Sequence, residues 1–234
     1  MFIQQFVGID TVIYYSPKIF MIAGFEGARA AIWGAVSVGV INVLFTILSL
    51  FLIDKIGRRK LYFIGLTGII LSLIALGTIF AFHDSLGPMV KWLAIVMVLV
   101  YIAFFAISLG PLGWLIISEV FPARVRGVGT SIGSLSNWFF NGVVAFTFFK
   151  IVKLFTATGS GIITTEKLYD QATNSFVEQA INHGNPAGAF WLYAAIGIVG
   201  LIWGYFFLPE TKGVSLEKIE RHWKEGKKPR ELKE

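Results

Sequence analysis

Cysteine is absent from the 234 residues and histidine occurs only three times. Those absences exclude a disulfide-stapled module and a zinc or iron–sulfur centre built on thiolates. Charge is scarce as well. Asp, Glu, Lys and Arg make up 15% of the chain, where a soluble domain spends about a quarter of its residues on them. Apolar and aromatic residues reach 56%, which excludes a disordered chain. The few charges sit in short stretches between long uncharged runs, and many lie beyond Pro209. A net charge of +6 is no nucleic-acid footprint when its positive groups collect on one side of a membrane. The composition is that of an integral membrane protein, with the lipid bilayer as its solvent.

Crossing the roughly 30 Å of bilayer hydrocarbon takes about 20 apolar residues as a helix. Five runs qualify: Ala30–Ile53, Leu61–Phe82, Trp92–Ser118, Gly127–Phe149 and Ala187–Leu208. In lipid each backbone amide must be paired within its own segment, and the runs do not alternate as barrel strands would, so helices are expected. Met1–Phe20 is apolar but carries Gln4, Gln5, Asp10, Ser16, Pro17 and Lys18. It reads as the outer part of a span whose cytosolic start is missing. It is no signal peptide, since no basic residue precedes it and no small-residue cleavage site follows. The expected fold is an all-α membrane bundle, with six spans over residues 1–208 and a cytosolic tail over 209–234.

Basic residues set the orientation. Fourteen of the 20 Lys and Arg fall after the first, third and fifth full runs, among them Lys55, Arg58, Arg59, Lys60, Arg124, Arg126 and Lys212. The positive-inside rule makes that side cytosolic, so the C-terminus is cytosolic and Met1 enters from the inside of a plasma-membrane protein. The other side receives Arg29, Lys91 and a long polar loop from about Lys153 to Pro186. In the tail, Leu216, Ile219 and Trp223 recur at helical spacing, as in a short interfacial helix.

Polar side chains inside a span are costly and face a bundle interior or a wet cavity. Gly129, Gly133, Asn137 and Asn141 recur every four residues and share a face, suggesting close packing at one end and amides at the other. Asn42, Thr46 and Ser49 share a face of the first full run. Each of these amides is either a ligand group or a hydrogen bond to a neighbouring helix. Gly110-Pro111-Leu112-Gly113 before Trp114 interrupts helical bonding near mid-membrane, which is tolerated only against protein or a cavity. Gln4 and Gln5 point about 100° apart on a regular helix. Gly8 allows a break that re-aims them and Asp10, and broken helices are a known device for midplane substrate sites.

On these residues the chain resembles the sugar porter family of the major facilitator superfamily. The matching stretches are Gln4-Gln5-Phe6-Val7-Gly8-Ile9-Asp10 with Tyr14-Tyr15-Ser16, and Asp54-Lys55-Ile56-Gly57-Arg58-Arg59. Further on come Gly110-Pro111 with Trp114, Glu119-Val120-Phe121-Pro122 with Arg126-Gly127, Asn137-Trp138, and Pro209-Glu210-Thr211-Lys212-Gly213. Six matches in the family's order make a specific signal, covering the C-terminal half of a twelve-span porter.

The resemblance implies sugar contacts at Gln4, Gln5, Asn42, Trp114 and Asn137, with Asp10 beside them where family members usually carry Asn. It implies an outer gate at Tyr14 and Tyr15. It implies that Arg58, Arg59, Glu119 and Arg126 help hold two halves together when the inner side is closed. The expected function is sugar transport by alternating access, as a proton symporter or a facilitator for a hexose, a pentose or inositol, together with an N-terminal six-span half. Its expected partners are the sugar or polyol and protons, without a cofactor or metal. A non-transporting remnant of a split gene and a membrane sugar sensor are the alternatives. A short cytosolic tail disfavours the sensor. Scattered His83, His183 and His222 suggest no nucleophile–base pair, so no enzyme is expected.

Overall fold

The computed structural model describes residues 1–23, 28–122, 124–156, 162–170, 175–182 and 184–232, with the side chains of all of them except 28–31, 163–170, 175–182 and 230. Arg29, Arg230 and Lys233 therefore fall outside the described side chains. In chain order the helices are α1 (Phe2–Phe6), α2 (Ile9–Ile22), α3 (Ala28–Ile56), α4 (Arg58–Ala81), α5 (His83–Leu86), α6 (Met89–Ile107), α7 (Leu109–Val120), α8 (Arg126–Thr156), α9 (Ala187–Phe207) and α10 (Leu216–Lys224). Strands β1 (Ile163–Asp170) and β2 (Ser175–Asn182) lie between α8 and α9. A 3-10 turn, Pro229–Leu232, follows α10.

Among the described residues, five helical stretches are long and apolar enough to cross a membrane, with α6 and α7 counting together as one of 32 residues. They match the five uncharged runs and extend into the charged flanks, α3 through Asp54 and Lys55, α8 through Lys150 and Lys153. The first segment is divided. At 14 residues α2 is about 21 Å long, too short to cross alone.

One finding corrects the sequence reading. The region from about Lys153 to Pro186 is not simply a loop, although the membrane-crossing stretches are all helical. α8 runs on to Thr156, and β1 and β2 pair antiparallel from Ile163 opposite Asn182 to Asp170 opposite Ser175. In the tail, α10 covers the expected helix, and the Ser215 hydroxyl accepts from the Lys218 N–H as its cap. The residues α10 buries are Ile219 and His222, while Leu216 stays exposed.

α4 forms the spine of the bundle. It packs most extensively against α9 and α6, and 61% of its most apolar stretch is buried. The reason is local. Gly197, Gly200 and Gly204 line one stripe of α9, and a Cβ there would run into Ile70, Ile3 or Tyr62. Small residues bring backbones close where no hydrophobic effect drives helices together. The Tyr62 hydroxyl uses that closeness to donate to the Gly200 carbonyl at 2.8 Å. By contrast α3 and α8 each bury only 17% of their most apolar stretch.

Candidate functional site

The site is built on two helix breaks. Gly8 takes the left-handed conformation (φ 84°) between α1 and α2, which glycine adopts without the Cβ penalty. The Tyr193 ring lies where a side chain at position 8 would sit. Beside the break, the Tyr101 hydroxyl of α6 donates to the Val7 carbonyl at 2.8 Å, satisfying a group the interrupted ladder leaves free. Further along α2, Pro17 has no N–H for the Ile13 carbonyl, and the Ser16 hydroxyl takes its place at 3.1 Å.

The second break lies at Ser108, three residues before the proline rather than within Gly110–Gly113. Pro111 explains the offset. It cannot donate to the Ile107 carbonyl and its ring crowds that group. The helix therefore ends at Ile107 and restarts at Leu109, where the first N–H groups need no helical partner.

These breaks bring Gln4, Gly110 and Asn137 together. Gln4 Nε2 donates to the Gly110 carbonyl at 3.3 Å, and Asn137 Nδ2 donates to Gln4 Oε1 at 3.5 Å and to Met1 Sδ at 3.4 Å. Gly113 leaves the room, since a Cβ there would lie 2.5 Å from Gln4 Oε1. The face of α8 divides as its spacing suggested. Gly129 and Gly133 meet Phe121 and Ile117, while Asn137 and Asn141 meet α1 and α2.

Gln4, Gln5 and Asn137 are buried. The Asp10 carboxyl lies beside the side-chain amides of Asn141 and Gln5. Gln5 Oε1 and Asp10 Oδ2 are buried acceptors without a hydrogen-bond partner. Asn42 and Trp114 stand apart. Asn42 Oδ1 accepts from Thr46 in its own helix at 3.3 Å, and Trp114 is 41% exposed. No hydrogen bond or ring contact among the described residues links either to Gln4 or Asn137.

Of the two tyrosines, Tyr15 is packed. Its ring stacks on Phe148, meets Phe149 edge-on, and its hydroxyl donates to the Ala145 carbonyl at 3.4 Å. Tyr14 is 53% exposed and accepts from Asn141 Nδ2 at 3.5 Å.

At the charged end, Arg58 pairs with Glu119 at 3.0 Å and with Asp54 at 3.1 Å. Glu119 also accepts from the Thr211 hydroxyl at 2.6 Å. Arg59 donates instead to the Tyr205 carbonyl at 2.9 Å, and Arg126 to the Phe121 carbonyl at 3.3 Å. Glu210 is the residue whose role the sequence did not assign. Its carboxylate accepts the backbone N–H of Arg58 at 3.0 Å and of Arg59 at 3.2 Å, capping α4 from the far end of the chain. Gly57, with φ 97°, makes room for that carboxylate. The Pro-Glu-Thr-Lys-Gly motif was its only signal.

A family model described as sugar (and other) transporter matches residues 1–223, and the chain belongs to that family, among the sugar porters of the major facilitator superfamily. The galactose–proton symporter of Escherichia coli (strain K12) is 33% identical over 230 residues, covering 98% of this chain and 43% of that protein. The D-xylose–proton symporter of the same strain is 34% identical over 220 residues, covering 94% and 39%. Among solved structures, the proton:xylose symporter XylE bound to 6-bromo-6-deoxy-D-glucose is similar with a TM-score of 0.73 at 32% identity, covering 95% of this chain and 41% of that one. The inward-open conformation of the xylose transporter XylE from E. coli scores 0.66 at 30% identity. The chain thus spans about two fifths of the length of the relatives it matches. Family and apolar helices together make it a membrane protein.

Proposed function

We propose that this chain is the C-terminal six-span half of a sugar transporter that works by alternating access with an N-terminal half. The observation that carries the reading is the meeting of Gln4 and Asn137 at two helix breaks, with buried acceptors on Gln5 and Asp10 left over. Primary amides both donate and accept, as sugar hydroxyls do. Spare acceptors in a buried place suit a solute that exchanges its water shell for protein groups. Asn42 and Trp114 line the same site from α3 and α7 once sugar is present, the indole offering a flat apolar face and one N–H.

The sparse burial of α3 and α8 supports the need for a second six-span body, since it leaves broad apolar faces uncovered within this chain. The substrate is a hexose, a pentose or inositol, and protons are co-transported. Residues 1–208 form the bundle in the plasma membrane, and 209–234 form a cytosolic tail. Tyr14 acts as the mobile part of an outer gate and Tyr15 as its packed base. Arg58, Arg59, Glu119 and Arg126 bias the state closed to the inside.

Binding of labelled D-xylose, D-galactose and inositol to the protein reconstituted with its N-terminal half tests the pocket. Gln4→Ala and Trp114→Ala are each expected to weaken binding of the preferred sugar, and unchanged binding in both removes the site. Asp10→Asn is expected to alter the pH dependence of uptake; an unaltered profile makes Asp10 structural only.

A further inference from the structure

An apolar groove of about 390 Å³ opens on the outer face of the bundle between α4 and α9, lined by Phe63, Thr67, Leu201, Ile202, Tyr205 and Phe206. None of its lining residues belongs to the amide cluster, and of the charged residues given a part in transport Arg59 borders it. Its end is chemically distinct. Arg59, Phe63 and Thr67 recur every four residues and so form one stripe of α4. Arg59 therefore stands at the mouth of the groove, with its guanidinium 6.0 Å from the Phe63 ring centre and Nη2 bonded to the Tyr205 carbonyl.

The next residue, Lys60, is exposed. Among the described residues neither Arg59 nor Lys60 has an acidic side chain as an ion-pair partner, whereas the neighbouring Arg58 is paired with Asp54 and Glu119. Glu210 does come close, but its carboxylate is spent on the backbone N–H groups of Arg58 and Arg59 and on that of Lys212. The helix end is thus already occupied, and among the described residues no carboxylate bonds to either side-chain cation.

We propose that this groove binds an anionic glycerophospholipid, with one acyl chain along Phe63, Thr67, Leu201, Ile202 and Phe206 and the phosphate on Arg59 and Lys60. The pairing follows from two properties in one place. An aliphatic chain fits a trough of apolar side chains on membrane-crossing helices. Two cations without an acidic partner among the described residues, at the level where charge begins, fit a phosphodiester carrying a net negative charge, and guanidinium binds phosphate oxygens two at a time. A partner helix would cover the trough but leave Arg59 and Lys60 without counter-charge.

The test uses protein extracted from membranes and stripped of lipid in detergent, then titrated with phosphatidylglycerol or with phosphatidylcholine of the same acyl chains. Bound lipid is counted by native mass spectrometry, with no transport assay, so the outcome is independent of the sugar reading. Half-occupancy is expected at about tenfold lower phosphatidylglycerol than phosphatidylcholine. Arg59→Gln is expected to abolish that preference, Lys60→Gln to reduce it, and Ile202→Trp, which fills the trough, to weaken retention of both lipids. Excess inorganic phosphate is expected to leave phosphatidylglycerol in place. Equal retention of the two lipids by the unaltered protein overturns the site. So does a preference unchanged in both Arg59→Gln and Lys60→Gln, displacement by inorganic phosphate, or a dimer that Ile202→Trp dissolves.

Discussion

The bundle contains two polar clusters, and they are bonded differently. At the charged end, the carboxylates of Glu119 and Glu210 accept bonds of 2.6 to 3.2 Å, and both oxygens of each have a donor, although Arg58 Nε is buried without an acceptor. Around the helix breaks the amide contacts are long, 3.3 to 3.5 Å, and two buried acceptors have no donor at all. Neutral hydrogen bonds contribute about 1 kcal/mol net, and bonds to charged groups about twice that. One cluster therefore spends its carboxylate acceptors on the fold, while the other keeps acceptors in reserve. A transport site has to be of the second kind, because groups saturated by the protein have nothing to offer a solute.

Substitutions at the two clusters separate these roles. The largest loss of stability is expected for Glu119→Ala. The side chains of Arg58 and Glu119 are only 12% and 18% exposed, and a largely buried charge stripped of its partner costs about 3 kcal/mol. Unfolding in detergent by denaturant titration measures it, and a loss below about 1 kcal/mol would place the pair in the class of surface ion pairs.

Next comes Glu210→Ala, expected to cost about 2 kcal/mol by leaving the first two amides of α4 without a charged acceptor. Glu210→Gln should recover part of that, since an amide oxygen still accepts. At the other cluster, Asn137→Ala is expected to change stability by less than about 1 kcal/mol and to weaken sugar binding about tenfold. A stability loss as large as that of Glu119→Ala would show the amides to be structural glue, and the contrast would vanish.

The smallest effect lies in the tail, beyond the last of the membrane-crossing stretches described above. The Lys227 ammonium, 2.7 Å from Glu225 Oε2, holds that carboxyl below its ordinary value of 4.5. A depressed folded value means the contact is fully present above the unfolded value and is lost as pH falls through the folded one. A carboxyl-resolved NMR titration should show Glu225 titrating below 4.5, and Lys227→Gln should return it toward that value.

Much of this was legible in the sequence where the cause is local. Uncharged runs of about 20 residues gave the spans because a bilayer imposes that length. Gly8 gave the first break because only glycine takes its conformation cheaply. Pro111 gave the second break, though three residues late, because a proline disrupts the turn before it and not its own. Spacing of four gave the two-sided face of α8. What escaped is what distance in the chain conceals. Glu210 caps a helix 152 residues away, so no signature of the kind that marks a local cap stands beside Gly57. The pairing of β1 with β2 was hidden in a stretch read as polar loop, because neither strand carries a clean alternation of apolar and polar residues. In the tail, His222 rather than Trp223 turns inward, its Nε2 lying 2.9 Å from the Lys228 carbonyl, a preference that helical spacing alone does not predict.

The cap on α4 also has a consequence for the order in which the chain is made. The amides of Arg58 and Arg59 leave the ribosome before Glu210, which follows Arg58 by 152 residues. The cap therefore ties the start of α4 to the segment that follows α9, and it can form only once both ends of that long stretch of chain exist.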